Sequence, residues 1–318
     1  MPLLLLLTIT LVVFSLRLLS PHHSYDIVIG VPNWPSVRAQ AHILKVLIED
    51  NFALKVELQN GTNTVIFEAM HRGKMHVHPE VWLPNHANLH NKFVREKKTV
   101  KYSLHEISAK QGMCMTKGTA KRTGLTHLKD LSRPKMAKKF DTNGDGKGEV
   151  WIGAPGWAST NVEKVRAKSY GYAKTMKLKE MDEVLALAEV GGAIVKKQNI
   201  VFFCYSPHHI FKLYDLVFLK EPPHDPSKWN ILQPKEDSDW LQKSYADVAW
   251  KKTSLHIHYS VSMERSYPEV ANLLGRIDFA AEEISDMTHA LVVDKQYPRD
   301  FAKAWIAQNA KRVDSWLE

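Results

Sequence analysis

The chain has 318 residues, with 43 Lys and Arg against 34 Asp and Glu, a formal charge of +9, and 44% hydrophobic residues. This ordinary mixture excludes wholesale disorder and fibrous repeats, and the length exceeds what a single core readily fills, so two lobes are expected. Two cysteines exclude a disulfide scaffold or a four-cysteine zinc site but suffice for one bridge.

Leu3–Leu19 is nearly unbroken hydrocarbon, interrupted only by Thr8, Thr10, Ser15 and Arg17. It is shorter than the ~20 residues that span a bilayer, so residues 1–24 read as a secretory leader. No basic residue precedes the run and no clean cleavage site follows it, which keeps an uncleaved N-terminal anchor as the alternative. Either reading predicts a periplasmic or otherwise extracytoplasmic protein. The basic pairs Lys97-Lys98, Lys138-Lys139, Lys196-Lys197 and Lys251-Lys252 are dispersed, with acids nearby. They describe a solvated surface rather than a groove for nucleic acid.

Tyr25–Val31 reads as a buried strand ended by Pro32-Asn33-Trp34-Pro35. Ser36 is then placed as the cap of a helix to Glu49, with Val37, Ala41, Leu44 and Ile48 on one face. Strands are predicted at 54–58 and 75–81, with helices at 64–72 and 85–97 between and after them. This alternation predicts a parallel α/β sheet. Beyond it come a strand at 111–117, short helices at 126–140, a strand at 151–154, and helices at 158–170 and 180–196. An apolar strand at 200–205, a surface loop at 221–240 and a strand at 254–261 follow. The tail is helical, with one stripe of Val270, Leu273, Leu274 and Ile277 and another of Phe301, Trp305, Val313 and Trp316. The order of elements suggests one α/β lobe interrupted by a second.

No nucleotide-binding glycine pattern, nucleophile elbow or H-E-x-x-H motif occurs, so nothing argues for an enzyme. Asp141-x-Asn143-x-Asp145-Gly146 matches the opening of a calcium loop, with Glu149 at the ninth position, but the twelfth is Ile152, which cannot ligate. A structural calcium and a loop tied by its own side chains both fit. His76 with His78, His86 with His90, His208-His209, and His256 with His258 could each start a zinc site. Trp34, Trp82, Trp157 and Tyr205 fall where strands end or helices begin, the place where open α/β sheets bind ligands. Four such rings suggest a box for a cation, held by ring faces.

Trp82-Leu83-Pro84-Asn85-His86, then residues 140–147 (FDTNGDGK), Pro155-Gly156-Trp157 and residues 201–207 (VFFCYSP) occur in that order. With these motifs the chain resembles the glycine betaine/proline betaine substrate-binding proteins of ABC uptake systems, the ProX/OpuAC type, from about Tyr25 to the C-terminus. The resemblance implies a type II periplasmic-binding fold: two α/β lobes joined by a two-segment hinge around a central cleft. It places residues 25–109 and 256–318 in one lobe and 110–255 in the other, with crossovers near 108–112 and 253–260. It implies Trp82, Trp157 and Tyr205 as walls of an aromatic cage, Tyr205 standing where a close relative has Trp. His86 and the amides of Ala158 and Ser159 would hold a ligand carboxylate, in keeping with the anion affinity of helix N-termini. Trp34 is added from its place on the rim. The bridge that some relatives carry beside the second cage Trp is absent, since Ala154 and Ser159 stand there. Pairing of Cys114 with Cys204 stays open.

The expected function is that of a monomeric, non-enzymatic solute receptor that closes on a methylated ammonium compound and delivers it to ABC permease subunits, with no cofactor required. Glycine betaine leads. Glu80, two residues before Trp82 on the same strand face, keeps choline, trimethylamine N-oxide and dimethylsulfoniopropionate in play. A histidine-ligated zinc receptor is the reading from another class.

Overall fold

Ile27–Val31 (β1) is buried at every position, as an apolar strand covered on both faces must be. The computed structural model describes residues 25–318, so the leader expected over 1–24 lies outside the described residues. The chain turns at Pro32–Trp34 into helix α1 (Pro35–Phe52), which packs Val37, Ala41, Leu44 and Ile48 fully out of solvent. Strand β2 (Val56–Asn60), helix α2 (Asn63–His71) and strand β3 (Val77–Leu83) complete the first unit. Strands β2 and β3 both lie parallel to β1, as the strand–helix alternation predicts.

Helix α1 begins two residues earlier than its sequence suggests. Trp34 occupies the cap position without a side-chain bond to the helix, and Pro35 takes the first turn, where its missing N–H costs nothing. Ser36 is no cap; its buried hydroxyl donates to Glu80 instead. The helix expected over 85–97 divides into a short α segment, Ala87–His90, and a π-helical turn, Asn91–Glu96.

Strand β4 (Val100–Tyr102) precedes β5 (Ile107–Thr116), the long strand on which the architecture turns. Its first residues, Ile107–Ala109, pair antiparallel with β12 (Thr253–Ser260), and its later residues, Lys110–Met115, pair antiparallel with β8 (Val201–Ser206). β12 in turn pairs with β3. The sheet runs β2-β1-β3-β12-β5-β8-β6-β7, with β6 (Gly148–Gly153) and β7 (Met176–Glu180) beyond β8 and β9 (Leu216–Phe218) also on β5, while β10 (Trp229–Asn230) and β11 (Tyr245–Ala246) pair apart from it. Strand β7 was not foreseen: the helix expected from residue 180 begins only at Glu183, and Met176–Glu180 pairs parallel with β6. Met176 to Lys179 does alternate apolar and charged residues, but over so few positions, directly before the helix, that the period is easily absorbed into it.

Cys114 and Cys204 are joined, with Cα atoms 5.7 Å apart. They sit diagonally across β5 and β8, since Cys204 pairs with Gly112 and Cys114 with Phe202. The segment expected as a surface loop over 221–240 is irregular apart from short pieces, and it is anchored from within. Fully buried Arg166 holds Glu163 and Glu221, and Trp250 Nε1–H donates to Glu163 at 2.7 Å. The C-terminal helices return to the first lobe: Ala281–Val292 and Pro298–Gln308 pack on α1, while the stripe of Val270, Leu273, Leu274 and Ile277 is buried where Pro268–Arg276 meets β12 and the last helix, Ala310–Leu317. Trp305 stacks on Trp316 at 6.2 Å, with Phe279 edge-on to both, so these rings are packing residues as expected. Among the described residues no helix is long and apolar enough to cross a membrane.

Candidate functional site

Between the lobes lies a cleft of about 370 Å³, part of it open to solvent. Trp34, Trp82, His86, Trp157, Ala158, Ser159 and Tyr205 all line it, and Asn63, Asn85, Gln111 and Phe203 complete the lining. The first lobe supplies Trp34 from the turn after β1 and Trp82 from the end of β3. The second supplies Trp157 from the turn after β6 and Tyr205 from the end of β8.

The rings meet edge to face rather than stacked. Trp34 and Trp157 lie 6.3 Å apart at 87°, Trp82 and Tyr205 5.2 Å apart at 85°, and Trp157 and Tyr205 6.0 Å apart at 77°. Near-perpendicular rings form corners, and corners present several negative π faces to one volume, the arrangement that attracts a desolvated cation. Two of these three contacts, Trp34–Trp157 and Trp82–Tyr205, join rings from different lobes. Beside Trp34, Asn33 Nδ2 donates to Asp182 at 3.1 Å, and elsewhere Lys212 pairs with Asp286.

Donors line the same cleft. Helix α3 (Ala158–Tyr170) starts at the cleft with Trp157 at its cap position, so the amides of Ala158 and Ser159 have no acceptor within the helix and carry its positive end. Gly153, at φ 125°, sets the turn; a Cβ there would collide with Thr160 Oγ1, which instead donates to Ala154 O at 2.7 Å. His86 is buried, and burial lowers its pKa to about 4. Near neutral pH it is therefore an uncharged imidazole, a hydrogen-bond donor through one ring nitrogen rather than a cation.

Glu80 is not on the cavity wall, a correction to its expected place against the ligand. Its carboxylate lies fully buried behind the rings, where Oε1 accepts from Trp34 Nε1 and Trp82 Nε1, each at 2.7 Å, and from Ser36 Oγ at 2.9 Å. Gln40 donates to Oε2. The alternation that put Glu80 and Trp82 on one face brings them together, and the long indole then reaches past the acid into the cleft. Burial raises the Glu80 carboxyl to about 7, its donors oppose that rise, and Glu183 adds to it.

Four lining residues lacked a sequence reading. Phe203 sits two residues before Tyr205 on β8, so strand alternation could have found it. Asn85 and Gln111 exchange reciprocal amide bonds of 2.8 and 2.9 Å, a pairing that no spacing reveals. Asn63 meets the His78 ring at 2.8 Å.

Among the described residues the histidine pairs do not assemble the zinc site of the alternative reading. The groups of three or more metal-ligating side chains among the described residues include no histidine. Each pair is spent on neighbours: His76 Nδ1 accepts from Val28 N, His90 meets His258 at 3.0 Å, His208 meets Glu183 at 3.1 Å, and His256 faces Ser103 O at 3.3 Å. Burial holds His78 down to about 3 and His258 well below its usual range. In the 141–149 loop, carboxylate oxygens of Asp141, Asp145 and Glu149 lie within 4.8 Å of one another. Asn143 joins them by donating to Asp145 at 3.2 Å, while Asp141 accepts from the amides of Gly144 and Gly146 and Glu149 from that of Thr142.

Over residues 25–308 the chain matches the family described as the substrate binding domain of ABC-type glycine betaine transport systems. It is 23% identical over 244 residues to the glycine betaine-binding periplasmic protein OusX of Dickeya dadantii, covering 74% of this chain and 72% of that one. It is also 23% identical over 288 residues to the trimethylamine N-oxide-binding protein of Pelagibacter ubique, covering 89% and 88%. Among solved structures, an ABC-transporter choline-binding protein in complex with choline superposes with a TM-score of 0.71 at 18% identity, covering 92% of this chain and 91% of that one. The fold is thus the two-lobed type II periplasmic-binding fold.

Proposed function

The chain belongs to the family of substrate-binding domains of ABC-type glycine betaine transport systems, and from that premise we propose that its ligand is glycine betaine, bound in the cleft by closure of the lobes. Members of this family are solute receptors for ABC transport rather than enzymes. The observation that carries the ligand assignment is that one cleft is lined both by four aromatic rings and by three donors, the Ala158 and Ser159 amides and His86. Rings suit the trimethylammonium group and donors suit the carboxylate.

In this reading residues 25–109 with 256–318 form one moving body and 110–255 the other, the strands β5 and β12 acting as hinge. The ligand, touching both bodies, stabilises the closed form, which the permease subunits recognise. The receptor works outside the cytoplasm as a monomer and requires no cofactor. A calcium ion held by Asp141, Asp145 and Glu149 would be structural; calcium is expected to raise the melting temperature and a chelator to lower it, and coincident melting curves would dismiss the ion.

Tryptophan fluorescence titrated against glycine betaine, choline, carnitine, trimethylamine N-oxide and zinc tests the assignment. Glycine betaine is expected to bind with micromolar affinity, on the order of −8 kcal/mol net of ordering costs. His86→Ala is expected to weaken glycine betaine by about 10- to 100-fold, the worth of a bond to a charged acceptor, and to leave trimethylamine N-oxide and choline nearly unaffected. Equal losses for all three would remove His86 from the carboxylate side, and a response to zinc alone would overturn the assignment.

A further inference from the structure

Behind the cage each lobe hides one carboxylate that none of the roles above uses. In the first lobe this is Glu80, which takes the N–H edges of both Trp34 and Trp82. In the second it is Glu183, the first residue of helix α4 (Glu183–Val195), whose Oε1 accepts from Tyr205 Oη at 2.7 Å and from His208 Nε2 at 3.1 Å. Both acids are buried, at 0% and 3% exposure. Among the described residues neither forms an ion pair with a lysine or arginine. Glu183 Oε2 has no hydrogen-bond partner, and Glu183 lies close enough to Glu80 to help raise its carboxyl.

A buried carboxylate that no lysine or arginine pairs is costly, even where a histidine stands beside it as His208 does at Glu183, and a protein keeps one where something repays the cost. Here three of the four cage rings point their donor edge at one of these acids. Such a bond fixes the ring plane, so that the face rather than the edge meets the cleft. It also pushes electron density into the ring, which strengthens the attraction of the face for a cation. Trp157 is the exception, since its Nε1 has no partner.

We propose that Glu80 and Glu183 are positioning and specificity residues, one per lobe, that hold Trp34, Trp82 and Tyr205 face-on to the cleft and serve together as the remote counter-charge of the bound ammonium group. The proposal rests on the methylated-ammonium reading of the cleft. At a ring's breadth and an effective dielectric near 20, one such charge is worth on the order of 10- to 100-fold in affinity for a cation.

Charge is separated from shape by ligand pairs that differ only in nitrogen against carbon: glycine betaine with 3,3-dimethylbutanoate, and choline with 3,3-dimethylbutan-1-ol. Glu80→Gln keeps an acceptor for the indoles, and Gln40 Oε1, now without a partner, can receive the new amide. Calorimetric titration of the wild type, Glu80→Gln and Glu183→Gln is expected to show the ammonium-over-carbon preference reduced about tenfold or more in each variant. A purely structural role would weaken both members of a pair alike; an unchanged preference in folded variants overturns the proposal. Should Glu80→Gln fail to fold, Glu183→Gln, which disturbs only two side-chain bonds, reads the same ratio. If the wild type binds no methylated ammonium compound, the ligand assignment falls and this proposal with it, whereas tight binding with an unchanged preference in the variants rejects this proposal alone.

Discussion

Trp157→Ala is expected to weaken glycine betaine binding by about 30- to 100-fold while leaving the melting temperature within a few degrees of the wild type. A desolvated cation–π contact is worth ~0.5–2 kcal/mol, and losing this wall also admits water to the cage. Each 1.4 kcal/mol is a factor of ten, so the ring contact and the lost exclusion of water together reach that range. Trp157 is the cleanest wall to remove because its indole N–H bonds to nothing and its ring is only partly buried. Its edge contacts, with Trp34, Trp151 and Tyr205, break without stranding a polar group. Trp82→Ala would not separate binding from folding in this way, since it leaves buried Glu80 short of a donor and opens a cavity of indole size. Trp157→Phe, which keeps a π face, is expected to recover most of the loss. Titration calorimetry beside a thermal melt decides the matter: wild-type affinity in Trp157→Ala would mean that this ring is not part of the ligand's surroundings.

Replacing Cys114 and Cys204 together by alanine is expected to lower stability by about 2–5 kcal/mol, or roughly 5–10 °C in melting temperature. The bridge spans 90 residues of chain. Between its ends lie β6, α3, β7 and α4, which is most of the second lobe. A cross-link of that length removes a large share of the freedom that the unfolded lobe would otherwise have, and the folded state keeps the β5–β8 hydrogen bonds either way. The same shift should follow reduction of the wild type under mild denaturation. Coincident unfolding curves for oxidised wild type and double variant would show that the bridge contributes no stability. An exported protein can keep such a bridge, which agrees with the periplasmic relatives.

Much of the cage was legible before any coordinates. Trp82, Trp157 and Tyr205 stood in ordered motifs and at strand or helix ends, and all three reach the cleft together with Trp34, His86, Ala158 and Ser159. Ser36 misled, because a serine before an apolar helical stripe looks the same whether it caps the helix or bonds a carboxylate 44 residues away. Glu80 was placed on the right strand face but on the wrong side of the ring. Alternation tells which residues share a face and says nothing about which of two neighbours reaches further. The histidine pairs misled for a related reason: spacing along a strand cannot distinguish a ligand set from rings that face separate buried acceptors.

What the amino-acid sequence determined by itself is therefore local: which segments alternate with period two or 3.6, where proline and glycine end them, and which ordered motifs carry the family's cage. Tertiary structure alone decided that β5 leaves one sheet partner for another between Ala109 and Lys110, that Cys114 meets Cys204, and that Gln111 faces Asn85. It also decided that the acids stand behind the rings: Trp34 bonds Glu80 across 46 residues, and Tyr205 bonds Glu183 across 22. Periodicity is set by backbone geometry within a few residues and so is written in order along the chain. Pairings between distant segments are set by how whole faces pack; burial then keeps His86 uncharged near neutral pH, while the donors of Trp34, Ser36 and Trp82 hold the Glu80 carboxylate against the burial that would protonate it.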